Sequence, residues 1–218
     1  MACMTDPSAH PELARALESS VAYYAALDDI LGDRQEIGSH RDLLTQGTIG
    51  TTLEHGISIV LLVEATQLAS ASVLLRAQFE ALVRALWLHF VADDAWAEKY
   101  LARVQAEPHK DPGNSRSMDE MLKDLATMAR PGIASKLQPL KDATWGPLNS
   151  YVHSGIHPIV HQHGGVSAEF ALATLLNANG LTGMAAMLAA ETLGDQQKVL
   201  SILDTQLAHL DCLPPLAR

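Results

Sequence analysis

From Phe170 to Ala190 the chain runs for 21 residues, "FALATLLNANGLTGMAAMLAA", without a charged side chain. A helix that is apolar on every side has two solutions: it spans a bilayer, or it is buried in protein. The flanks argue for burial. Acids, Glu169 and Glu191, bracket the segment where a spanning helix favours Lys, Arg and aromatic residues. Asn177, Asn179, Gly180 and Gly183 dilute its hydrophobicity further. We expect a core or dimer-interface helix and no membrane span. The small residues Ala178, Gly180, Gly183, Ala185 and Ala186 would allow close packing inside one chain or against a second copy.

A buried helix needs partners, and the composition supplies helices. Aromatic residues are scarce (three Phe, three Trp, four Tyr) beside long stretches of Ala and Leu. At 218 residues the chain is long enough to close a sizeable core. The expected fold is all-α: a single helical domain over 1–218, a bundle of about six to eight helices around a central antiparallel hairpin (51–68 / 71–92). Residues 1–10 and 211–218 read as tails, and 108–117, "PHKDPGNSRS", as a surface loop.

Local signals place the other elements. Leu13, Leu17, Val21, Tyr24 and Leu27 mark a helix over 11–31, and a short one may be read near 40–46. Ser70 and Asp93 or Asp94 suit N-caps, and Ser117 with Glu120 forms a capping box for a helix to about Arg130. Short helices follow over about 133–140 and 142–154. Ser167 caps the uncharged helix, Gly194 ends it, and Asp195 opens a last amphipathic one.

The formal charge of −10 speaks against a broad nucleic-acid coat, because phosphate neutralisation needs a basic surface. Cys3 and Cys212 have no CxxC partner, which fits a reducing cytoplasm. The N-terminus lacks a basic start and an apolar run, so a cytoplasmic location is expected.

Two features bear on function. The first is a charged stripe on the most apolar helix. Arg76, Glu80 and Arg84 follow each other at i, i+4, i+8, among Leu75, Phe79, Leu82 and Leu86. Unpaired charges in apolar surroundings are costly. With a turn near Ser70, Glu64 would lie beside Arg76, and Glu54 or His55 beside Arg84. The stripe is then a structural ion-pair ladder, a cationic cleft for a phosphate or carboxylate, or a plainly solvent-exposed row.

The second is "LNSYVHSGIHPIVHQHGG", residues 148–165, with four of the ten histidines. His157, His161 and His163 are the candidates for a metal. The segment holds no carboxylate or cysteine, and Pro158 is expected to disrupt a helical face through His153, His157 and His161. No cofactor is expected. Asn149 and His153, four residues apart, share a helical face.

The segment "LLRAQFEALVRALWLHFVA", followed later by "LNSYVHSG", resembles a group of uncharacterised bacterial all-helical proteins. Those carry an Arg/Glu-bearing central helix and a late Tyr-x-His-Ser/Pro motif. They are distantly similar to the HEPN superfamily, many of whose members are metal-independent RNases of toxin–antitoxin and phage-defence systems. The active motif there is Arg, four to six residues, then His, often as Arg-Asn-x-x-x-His. Asn149 and His153 match it, but Leu148 stands at the Arg position, and Gly146 and Pro147 are not Arg either. The resemblance implies a homodimer, RNA or a cognate antitoxin as partner, His153 as acid or base, and Asn149 orienting. Arg76 or Arg84 of the central helix would supply the missing cation, with Glu80 beside them. Tyr151, Ser154 and Glu64 would complete the surroundings. The competing readings are a non-catalytic dimeric interaction or regulatory module with a small anion pocket, and a His-rich metal-binding bundle.

Overall fold

The computed structural model describes residues 10–32, 38–107, 109 and 116–215. Among them are nine α-helices and no strand: α1 (Pro11–Leu31), α2 (His40–Glu64), α3 (Leu68–Phe90), α4 (Asp94–Ala106), α5 (Met118–Asp124), α6 (Pro131–Val152), α7 (Ile156–Gly164), α8 (Ala168–Thr192) and α9 (Gln196–Ala208). One π-helical turn (Leu125–Ala129) separates α5 from α6, and a 3-10 turn (Leu210–Cys212) follows α9. The count exceeds the expected six to eight because the histidine segment forms its own helix. Residues 1–9 and most of the 108–117 loop, with Cys3, lie outside the described residues.

The caps explain most of the boundaries. Ser117 accepts from the Glu120 N–H while Glu120 reaches back to the Ser117 N–H, the reciprocal arrangement expected from the spacing. Asp93, Ser167 and Asp195 accept from the first turns of α4, α8 and α9. Gly194, at φ +62°, follows α8. Ser70 caps nothing. It lies inside α3, and the connection from α2 is at 65–67, where Thr66 turns the chain with φ +58°.

Two helices expected as pairs of fragments are continuous. Residues 40–46 and 51–68 merge into α2 despite Gly47 and Gly50. Those expected over 133–140 and 142–154 merge into α6, which carries Pro139 and Pro147 in its interior. A proline removes one backbone bond, to the carbonyl four residues earlier. Here those carbonyls belong to Ser135 and Ala143, both exposed, so water can take the place of the missing N–H.

The uncharged segment is the core of the bundle. α8 is long and apolar enough to cross a membrane, but most of it is buried against α1, α2, α3 and α9. The small residues expected to allow close packing are occupied within the chain. Ala178, Ala185 and Ala186 are buried, and a methyl group on Gly183 would lie 2.5 Å from the Tyr23 hydroxyl. α2 and α3 share the most extensive packing of any pair. Where α2 meets α8, Gly56 leaves room for a buried polar knot: the Gln78 amide donates to Thr182 Oγ1 (3.0 Å), which also bonds the Tyr24 hydroxyl (2.7 Å). Burial raises the Tyr24 pKa well above its usual value. Asn179 donates to Ser20 Oγ (2.7 Å) and to the Cys212 carbonyl (2.8 Å). Cys212 is therefore buried, and the tail expected from 211 begins later.

Candidate functional site

α3 and α6 pack side by side, and their facing stripes build one polar site. α3 contributes Arg76 and Glu80, one turn apart. α6 contributes Lys141, Trp145 and Asn149, at i, i+4, i+8. Arg76 Nε donates to Glu80 Oε1 at 2.9 Å, and Nη1 donates to Asn149 Oδ1. The guanidinium lies over the Trp145 ring, 4.2 Å from its centroid, and Phe79 meets that ring edge-on at 5.9 Å. Lys141 Nζ lies 5.3 Å from the same ring and pairs with Asp119.

The guanidinium is thus fixed by a carboxylate, an amide and an aromatic face. Its side chain is 17 % exposed and that of Glu80 37 % exposed, so the pair is partly withdrawn from water. A guanidinium has five N–H donors in a rigid fork. Two are engaged here, and three remain for an incoming oxyanion.

The expected Arg76–Glu64 pair does not form. The turn at 65–67, not at Ser70, shifts the helices by several residues, so Glu64 ends α2 as an exposed residue. Gln78, not Arg76, meets α2 at Gly56. Arg84 is half-buried and makes no ion pair among the described residues, so the ladder through Glu54 or His55 is absent too. Arg76, and not Arg84, is the cation that reaches the Asn149 helix.

His153 sits one turn beyond Asn149, as the C-cap of α6; its N–H donates to the Asn149 carbonyl at 3.1 Å. It is exposed, and its ring makes no hydrogen bond to Glu80 or Glu64. Ser154 is exposed with φ +52°. Gly155 folds tightly onto α6: its N–H donates to the Ser150 carbonyl at 2.7 Å, and a Cβ there would lie 2.6 Å from Ser150 Oγ. That hydroxyl in turn accepts from the His157 N–H.

The helix therefore ends at 153–155, close to the end expected at 154, and Pro158 breaks nothing. Pro158 falls in the first turn of α7, where its missing N–H has no intrahelical partner to lose. His157 and His161 lie on α7. Tyr151, buried, bonds the His161 ring through its hydroxyl, and Phe170 stacks on Tyr151 and meets His161 edge-on at 5.0 Å. Burial pushes the Tyr151 pKa up to about 12. Burial, then the neighbouring His157, lowers that of His161. His163 is exposed. Among the described residues no three His, Cys, Asp or Glu side chains gather as metal ligands. Tyr151 and His161 form an aromatic clasp between α6, α7 and the start of α8.

Residues 49–215 match the sequence profile of DUF6988, described as a family of unknown function. The chain belongs to the DUF6988 family. This agrees with the expectation of an uncharacterised family. The DUF6988 match covers both faces of the site, α3 and α6, and leaves α1 outside. No curated protein and no solved structure matches the chain.

Trp145, Lys141 and Asp119 were not singled out from the sequence. The signal for Lys141 and Trp145 is their four-residue spacing with Asn149, which a break placed at residue 141 interrupts.

Proposed function

We propose that the α3–α6 site of this DUF6988 protein cleaves RNA without a metal ion, in the manner of the HEPN nucleases. The observation that carries the reading is the bond from Arg76 to Asn149. The HEPN-type motif lacks its Arg at Leu148, and the fold brings a guanidinium to the same Asn from another helix. The α2–α3 pair, taken as an antiparallel hairpin, is the rigid support that holds Arg76 in place.

In this mechanism the scissile phosphate docks on the three free N–H donors of Arg76, with Asn149 Nδ2 beside them. His153 accepts the proton of the 2′-hydroxyl. The 2′-oxygen attacks phosphorus, the bond to the 5′-oxygen breaks, and that oxygen takes a proton from solvent. The products are a 2′,3′-cyclic phosphate and a 5′-hydroxyl. Histidine is the side chain most often used for such proton transfer. The net charge of −10 disfavours nonspecific RNA binding. Such a protein works in the cytoplasm, as a homodimer, and is held in check by a cognate antitoxin. Val152, Ile156, Ile159 and Val160 are all exposed beside His153 and offer a surface for the second copy.

A second reading is a non-catalytic module that binds a small anion. Glu80 favours it, because its carboxylate already balances the Arg76 charge. A panel of Arg76→Ala, Asn149→Ala and His153→Ala assayed on a mixed RNA pool in EDTA separates the two. Loss of about 10²-fold or more in each, the scale of removing a transition-state donor, supports the nuclease. Phosphate binding that depends on Arg76, with no cleavage by the parent, supports the module.

A further inference from the structure

At the opposite end of α6 from His153, an open pocket of about 610 Å³ lies between α3, α6, α8 and α9. Its size falls in the range of pockets that hold small organic molecules. Leu86 and Leu188, nearly inaccessible to water, form the floor with Met184 and Met187. The two methionines occupy one of the few partly open faces of α8, a helix otherwise buried on most sides. Thioether side chains are flexible and adapt to varied apolar guests.

The rim is charged. Arg130 is placed there by the π-helical turn before it, its N–H donating to the Leu125 carbonyl at 2.7 Å. Single π turns in helical proteins recur at functional sites. Arg130 pairs with Glu191, and its guanidinium covers the Phe90 ring at 4.6 Å. Its charge is therefore offset. Lys136, also on the rim, is exposed and pairs with no carboxylate among the described residues. The rim carries two cations against one anion, above an apolar floor.

We propose that this pocket binds a free amphipathic carboxylate, with its head at Lys136 and its alkyl chain on Met184 and Met187. The inference is independent of the nuclease reading. The full-length protein is titrated with octanoate, decanoate and dodecanoate below their micelle concentrations, using calorimetry. Decanol and decyltrimethylammonium serve as neutral and cationic controls. Saturable single-site binding is expected, tightening by roughly fourfold per added methylene, the value of burying one CH₂. Lys136→Glu, an exposed change that leaves the fold intact, should weaken decanoate about tenfold and leave decanol unchanged. Met187→Trp fills the floor and should abolish binding of the whole series; far-UV circular dichroism checks that it folds. Absence of saturable decanoate binding overturns the proposal. So does equal affinity for decyltrimethylammonium, or decanoate affinity unchanged in both variants.

Discussion

Replacing Gly56 with alanine should destabilise this protein, although it removes a glycine from the middle of α2. Helix propensity alone favours the change by about 1 kcal/mol. The site opposes it. The new methyl carbon would lie 2.2 Å from Thr182 Oγ1, 2.5 Å from the Tyr24 hydroxyl and 2.8 Å from Gln78 Nε2. Ordinary contact begins near 3.4 Å, so Thr182 has to retreat by about 1 Å inside a buried helix. That strain costs about 1–3 kcal/mol. The same movement breaks the Gln78–Thr182 or Tyr24–Thr182 bond, at about 1–3 kcal/mol for a buried group left unpaired. Gln78 Oε1 already has no protein partner, so the residue has little slack. The net cost is about 1–5 kcal/mol, a fall in Tm of roughly 2–20 °C for a domain of this size. Gly50, on the same helix, is the control: it is exposed, and a Cβ there meets nothing within 4 Å. Gly50→Ala should stabilise by about 0.5–1 kcal/mol, as exposed glycines in helices do. Urea unfolding followed by circular dichroism at 222 nm (about the α-helical minimum) measures both. If Gly56→Ala proves as stable as Gly50→Ala, the close approach of α2 to α8 is wrong.

Other expectations are checked as directly. Ser167→Ala removes the acceptor for the Phe170 N–H and should cost about 1 kcal/mol in urea unfolding. His161 has a folded-state pKa below its unfolded value, so the folded protein binds fewer protons in that window. Its contribution is fully present above pH 6.5 and is lost as pH falls through the folded pKa. The Tm of the parent should therefore drop more than that of His161→Phe between pH 7 and pH 5 (approximate limits set by the histidine range). For the proposed homodimer, light scattering should show Ile156→Glu shifting the population to monomer with unchanged circular dichroism. A parent that is monomeric at all concentrations contradicts the second-copy surface.

Much of the architecture was legible because helix caps and apolar runs act locally. Ser117, Ser167, Asp93 and Asp195 cap where their sequence context placed them. The all-helical class followed from composition and from the uncharged run that became α8. What failed was continuity. Gly47 and Gly50 fall between the fragments expected over 40–46 and 51–68, and residue 141 falls between those expected over 133–140 and 142–154, yet α2 and α6 run on through both junctions. That error propagated to the site. A break at residue 141 separates Lys141 from Trp145 and Asn149, and a turn assigned to Ser70 gives Arg76 the wrong partner. The Arg76–Asn149 contact joins residues 73 apart in sequence, and no local signal announces it. The end of the helix near Ser154 was legible, but Pro158 misled: in the first turn of α7 it disrupts nothing.

The most direct test of the central claim is the product of RNA incubated with the purified protein in EDTA, beside His153→Ala. The account expects cleavage by the parent that leaves 2′,3′-cyclic phosphate ends, reduced by about 10²-fold or more in the variant, the scale of a lost acid–base group. Absence of cleavage, or equal cleavage by parent and variant, would contradict it and leave Arg76 and Asn149 as an anion-binding pair without chemistry.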